Sequence, residues 1–371
     1  MRLFLVFLFL ALLFIEKKYK TKKPYYIALI IYFIFLSFRY MQGTDYYSYY
    51  YAYFFERNIF DAYNYGFVRD FEFLYNLVVS IFRTFNLSFF TFISCMSGLV
   101  LALYHRFFKA YKVDSVISVI LLYMLYGIVF IESAIRQGIA LALLLGISLV
   151  GYKKKDIRQV ILGALLAFLV HRTSIFFSLV LIFMYFIFEI MKVEEVKVNK
   201  LSIIALILMC LVINFFPFEA VFAPFAKTNV LAHKIVYYFS SASLSIVSMG
   251  LRCVYMVLFG YIVYSSKINI FKRGNEVYLL YFLGLVFYFM VAKFSILSRI
   301  TVYFEIFEIC IFSYFLISNK FNAIKYMKIF VCVYALLACT LYVKDGIATQ
   351  QQSVYREVDI ICPYHTFLTN R

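Results

Sequence analysis

Apolar runs of about 15 to 20 residues recur along the whole chain, and short connections rich in Lys and Arg separate them. That alternation leaves little choice of fold. A helical run of ~20 apolar residues matches the ~30 Å hydrocarbon core of a bilayer, where helix or closed barrel must satisfy every backbone N–H and C=O. The ten-residue alternating segments that build a membrane β-barrel do not occur. The expected fold class is therefore all-α, a polytopic helical membrane protein. Composition agrees, since only 15% of the residues are charged, against about a quarter in a soluble domain.

The formal net charge of +17 would suggest nucleic acid in a soluble protein. Here the basic residues sit in the connections between apolar runs, which is how membrane proteins mark their cytoplasmic loops. No nucleic-acid partner is expected; the partner is the lipid bilayer. The seven cysteines are scattered without a CxxC spacing, so neither a disulfide framework nor a metal cluster is indicated.

Charge also threads the chain. Five lysines follow the run Leu3–Ile15, which puts that connection in the cytoplasm and the N-terminus outside. A second crossing, Tyr25–Met41, brings residues 42–70 outside. The basic segments His105–Lys112, Lys153–Arg158, Met191–Lys200, Lys267–Arg273 and Lys320–Lys328 are expected inside. Parity then makes Phe71–Phe85 a re-entrant or interfacial helix, followed by crossings at Ser88–Tyr104, Ser115–Ile131, Glu132–Tyr152, Ile157–Val170 and Ser174–Ile190. Leu201–Phe216, Ile246–Ser265, Val277–Val291, Ile300–Ser318 and Met327–Tyr342 complete the set. About 12 transmembrane helices plus one half-inserted helix result, in a single polytopic domain over residues 1–371. Its outer segments are expected at about 42–70, 217–245 and 343–371.

Ionisable residues in or beside crossings are costly and mark function more often than chance. In this threading they gather at the outer face: Asp45, Glu72, Glu132 with Arg136 and Gln137, His171 with Arg172 and Ser174, and Arg299. Each has a bland reading beside the functional one. Asp45 follows Gly43 and suits a turn or cap. Glu72 suits a helix N-terminus. Glu132 and Arg136, four apart, could neutralise each other, yet a guanidinium there also offers a planar fork to phosphate. His171 interrupts an apolar stretch beside Arg172 and a hydroxyl, and an imidazole can take a proton from a sugar hydroxyl. Tyr46, Tyr47 and the tyrosines after them fit either carbohydrate stacking or an interfacial aromatic belt.

In order along the chain, Gly43-Thr-Asp-Tyr-Tyr, Glu72, Ile135-Arg-Gln-Gly-Ile-Ala140 and Ala167-Phe-Leu-Val-His-Arg-Thr-Ser174 resemble the EpsG-type family of Wzy polysaccharide polymerases. The stretch Ser298-Arg-Ile-Thr-Val-Tyr-Phe304 and the late Pro363-Tyr364 fit the same pattern. The resemblance implies a glycosyltransferase that joins polyprenyl-pyrophosphate-linked oligosaccharide repeat units into O-antigen, capsule or exopolysaccharide on the periplasmic side of the inner membrane. It implies His171, Asp45 or Glu72 as catalytic residues, and Arg136, Gln137, Arg299, Arg172, Ser174, Tyr46 and Tyr47 as substrate-binding ones. A chain-length regulator and a flippase are the implied protein partners. No cofactor is expected. Carboxylates holding a divalent metal against the pyrophosphate are the alternative, but no metal is the preferred reading, because the arginines supply positive charge and no DxD pair occurs. Two other classes stand as alternatives: a multi-spanning polysaccharide acyltransferase, which wants a cytoplasmic His with an acid or hydroxyl beside it, and a lipid-linked oligosaccharide flippase, which wants internal repeats and charges at the bilayer midplane.

Overall fold

The structure is a computed structural model of the 371-residue chain, and the residues it describes are 2–40, 45–68, 71–199, 208, 224, 246–291, 298–317 and 365–366. The chain divides into two compact units, Met1–Ile182 with Phe312–Arg371, and Phe183–Ile311.

The first unit opens with α1 (Arg2–Tyr19) and α2 (Lys23–Ser37), then α3 (Tyr46–Phe55), α4 (Ile59–Tyr65) and α5 (Phe73–Thr84). Next come α6 (Phe89–Ala110), α7 (Val116–Leu121), α8 (Ile135–Lys153) and α9 (Ile157–Val170). Local chemistry sets their starts. Pro24 occupies the first turn of α2, where no N–H is needed. Ser88 Oγ accepts the Thr91 N–H at 3.1 Å to begin α6, and Asp156 accepts those of Arg158 and Gln159 at 3.0 and 3.3 Å to begin α9. Several helices stop at a lysine in the left-handed region: Lys20, Lys112, Lys155, Lys192 and Lys267 have φ of 51, 56, 60, 55 and 53°. Each belongs to a basic connection that the sequence marks as cytoplasmic.

Close approach of small residues packs α8 on α9. A Cβ on Gly163 would lie 2.6 Å from the Ser148 backbone N, while Ser148 Oγ donates to the Val160 carbonyl at 2.9 Å. Helices in lipid associate through such contacts, because lipid tails offer no hydrophobic incentive to pair.

The junction before α8 departs from the expected one. From Leu122 to Ser133 the chain widens into a π-helix, and Ala134, at φ −82 and ψ 64, breaks it before α8 begins at Ile135. Glu132 and Arg136 therefore lie on opposite sides of a break and not on one continuous helix. Gly138 allows it: a Cβ there would stand 2.2 Å from the Phe130 carbonyl oxygen.

Other expected segments map closely. Ile157–Val170 and Ile246–Ser265 are helices with those bounds. Phe71–Phe85 holds α5, and Ser174–Ile190 is preceded by a 3-10 turn at Arg172–Ser174 and continues as α10 (Ile175–Tyr185). Ile300–Ser318 is divided into Ser298–Glu305 and Glu308–Ile317. The expected crossings Leu201–Phe216 and Met327–Tyr342 lie outside the described residues, apart from Leu208. In the second unit, Arg273 grips Glu189 through both carboxylate oxygens, at 2.9 and 2.5 Å, and reaches Glu194 at 3.2 Å.

Four helices of the described residues are long and apolar enough to cross a membrane unaided: Phe89–Ala110, Ile135–Lys153, Arg172–Ile190 and Arg299–Ile317, with shorter apolar helices beside them. The described residues are helical apart from one short antiparallel pairing of Arg39–Tyr40 with His365–Thr366, and the chain is a multi-pass membrane protein.

Candidate functional site

Three segments far apart in sequence meet at Glu72. It stands just ahead of α5, with extended backbone, and its side chain does not cap that helix. Its Oε2 instead accepts from Arg136 Nη1 at 2.5 Å, and its Oε1 accepts the Arg172 backbone N–H at 3.2 Å. The His171 Nδ1 lies 3.3 Å from the same Oε1. Arg136 comes from the first turn of α8, and His171 is the extended residue that ends α9. Burial by itself would raise the Glu72 carboxyl. The His171 imidazole, the Arg136 charge and the Arg172 N–H overcome it and hold the group down at about 2. Glu72 is thus a fixed anion and a poor proton acceptor.

Aromatic rings fix the arginine. The guanidinium carbon of Arg136 is 4.0 Å from the Phe71 ring centroid, 5.7 Å from that of Tyr49 and 5.9 Å from that of Tyr75. Its Nε donates to the Tyr49 hydroxyl at 3.4 Å. With Nε and Nη1 engaged, Nη2 donates to none of the described residues. The result is a cation held by one carboxylate and a box of rings, with one edge open to an anion.

His171 contributes a second reactive edge. Both of its ring nitrogens are buried and neither meets hydrogen-bond geometry with a described residue, although Nδ1 lies 3.3 Å from Glu72 Oε1. A carboxylate beside one ring nitrogen helps to orient the imidazole.

The remaining expected site residues fall in different places. Asp45 donates its backbone N–H to Ser133 Oγ at 3.3 Å, and its charge acts on the Tyr49 hydroxyl, so it borders the same cluster. Gln137 is buried beside Arg136 on α8, and Ser174 is buried with its hydroxyl unpartnered among the described residues. Tyr46 is fully buried, packs against Phe89 with ring centroids 5.4 Å apart and donates to the Arg39 carbonyl at 3.3 Å. Its ring is core and offers no face to a sugar. The Tyr47 side chain lies outside those described. Arg299 is an exposed residue of the second unit, at the start of the helix Ser298–Glu305.

Phe71 and Tyr75 are the residues that sequence reasoning missed as site members, whereas Tyr49 belongs to the tyrosine run it singled out but holds Arg136. Phe71 is adjacent to Glu72, and that adjacency was the available signal. Among the described residues no group of three His, Cys, Asp or Glu side chains is arranged to hold a metal ion.

No curated protein and no solved structure matched the chain. The model of the EpsG family matches residues 22–356, a span that contains Glu72, Arg136 and His171 and nearly all of the described helices. The chain belongs to the EpsG family.

Proposed function

We propose that this protein is a polysaccharide polymerase, a glycosyltransferase that joins polyprenyl-pyrophosphate-linked oligosaccharide repeat units. Family membership supports the polymerase class. The observation that carries the finer reading is the meeting of an open-edged guanidinium and an imidazole with a free nitrogen around one carboxylate. In this reading the acceptor hydroxyl gives its proton to His171 Nε2 as its oxygen bonds the donor's anomeric carbon. The bond from that carbon to the pyrophosphate breaks, and its electron pair leaves with the polyprenyl pyrophosphate. Arg136, with Arg172, stabilises the charge that develops on the leaving group. Glu72 keeps both Arg136 and His171 in place, and Asp45 serves as a second carboxylate toward the acceptor sugar.

The proposal extends to location. The chain would make about 12 crossings of the bacterial inner membrane, with lysine-ended helices inside and the Glu72 cluster facing the periplasm. This agrees with a donor that carries its own activated sugar on a lipid, since that compartment offers no nucleotide sugar.

Complementation tests the reading. The gene is deleted in its host and restored as wild type, Arg136→Ala, His171→Ala or the exposed control Lys154→Ala, with membrane expression verified for each. The surface polysaccharide ladder should collapse to single repeat units with the first two variants and persist with the control. A deletion that leaves the ladder intact and alters only acylation would replace the polymerase with an acyltransferase.

A further inference from the structure

Helix α5 turns apolar side chains outward. Its inner face buries Asn76 and Ser80, 2% and 0% exposed, beside Tyr75 and Val79. Its outward side shows Phe73 and Ile81, 56% and 37% exposed, and it ends at Phe85, 71% exposed. A helix packed at the edge of a water-facing domain has the opposite pattern, apolar in and polar out. The neighbouring α4 also exposes large apolar rings, Phe60, Tyr63 and Tyr65, by 70%, 90% and 73%.

Neither helix can cross a bilayer. The 12 residues of α5 rise about 18 Å, well short of the ~30 Å hydrocarbon core. The apolar surface is also continuous with a membrane-spanning one: Phe85 and Leu87 lead directly into α6, and Tyr53 of α3 donates to the Leu87 carbonyl at 2.6 Å. Attraction to anionic headgroups is not the cause. Residues 42–70 carry four acidic and two basic side chains, the wrong sign for a lipid-phosphate patch.

We infer that α4 and α5 lie in the plane of the bilayer interface, anchored by Phe60, Tyr63, Phe73 and Phe85. Amphipathic helices rich in aromatics occupy that layer, their apolar face sunk to the headgroup and acyl boundary. The consequence bears on the site, and this part rests on the polymerase reading. Glu72 sits at the start of α5, so Arg136 and His171 meet their substrate at the depth of the lipid phosphates. A polyprenyl-linked pyrophosphate already resides at that depth. It reaches the arginine by sliding sideways in the leaflet, with its chain still in the bilayer.

The chain contains no Trp, so one introduced indole reports its own depth. Tyr63→Trp, Ile81→Trp and Phe85→Trp are prepared in the full-length protein in phosphatidylcholine nanodiscs, with Leu165→Trp of α9 as the deep reference. Lipids brominated near the headgroup or near the chain end serve as quenchers, and iodide reports water. The inference expects blue-shifted emission at all three positions, stronger quenching by the shallow bromine than by the deep one, weak quenching by iodide and no change with added salt. Leu165→Trp should show the reverse bromine order. Strong iodide quenching at Tyr63→Trp and Phe85→Trp would put the hairpin in water, and stronger deep-bromine quenching at Ile81→Trp would make α5 a penetrating segment. Either result overturns the inference. No substrate enters the measurement, so it can fail while complementation still supports the polymerase, and the converse.

Discussion

Oε2 of Glu72 lies 2.5 Å from Nη1 of Arg136, a residue 64 positions further along the chain. The pair is largely enclosed, with the two side chains 10% and 19% exposed. Removing one member of such a pair leaves the other charge desolvated and uncompensated, a loss of roughly 3–5 kcal/mol when burial is complete. Glu72→Gln preserves size and loses the charge. We expect it to lower the melting temperature of the detergent-solubilised protein and to abolish long polysaccharide. The double variant Glu72→Gln/Arg136→Gln should melt higher than Glu72→Gln alone, since no unpaired cation remains. Equal melting of the two would mean that the pair is not coupled in solution.

Acid should reveal the same carboxylate. Its folded-state value is held at about 2 against an ordinary 4.5, so the folded state binds the proton less tightly than the unfolded one. The stability it contributes is complete above about 4.5 and fades as pH falls through about 2. After discounting for solvent screening this is on the order of 2 kcal/mol. Wild type should therefore lose its stability advantage over Glu72→Gln as pH drops from 5 toward 2, as read by melting at each pH. A constant difference across that range would refute the assignment. Any activity change between pH 5 and 8 belongs to another group.

Phe71 should matter through geometry. Its ring lies 4.0 Å from the Arg136 guanidinium, a contact worth about 0.5–2 kcal/mol. Phe71→Leu should lower kcat/KM with lipid-linked substrate by roughly 2- to 30-fold while the protein stays folded, and Phe71→Tyr should restore most of it. If the two variants behave alike, the ring face is not what holds the arginine.

Gly138→Ala tests the break before α8. The new Cβ would meet the Phe130 carbonyl oxygen at 2.2 Å, and backbone cannot rotate away as a side chain can. A cost of about 1–3 kcal/mol is expected for such overpacking. Monodisperse yield and melting temperature should both fall, together with polymerisation. Unchanged melting would mean that the chain absorbs the methyl by straightening the junction.

Much of this architecture was legible in the sequence for a simple reason: lipid tolerates few polar residues, so crossings announce their own limits. Ile157–Val170 is bounded by Asp156 and His171, and its helix has those ends. Charge placed Asp45, Glu72, Arg136 and His171 on one expected face, and in the structure Glu72 touches both Arg136 and His171. What could not be read was pairing. Spacing alone offered Arg136 to Glu132, four residues away, because Ile-Glu-Ser-Ala-Ile-Arg reads as unbroken helix and Ala134 is a strong helix former. Long-range packing placed the break at Ala134 and passed the arginine to Glu72. The tyrosine run hid its register for a related reason. Tyr46 and Tyr49 are chemically alike, and a helix aromatic on most sides gives no period to say which one is core and which one holds Arg136.

The lysines that end helices in the left-handed region also tie two design problems together. A glycine at Lys112 or Lys155 would relax the backbone, and a stabilisation campaign guided by thermal data alone would select it. The same change deletes a charge that tells the insertion machinery which side of the bilayer a connection stays on. This chain is therefore not free to improve helix endings and membrane orientation independently. A variant carrying glycine at all five positions should be less strained once folded and more often inserted the wrong way round.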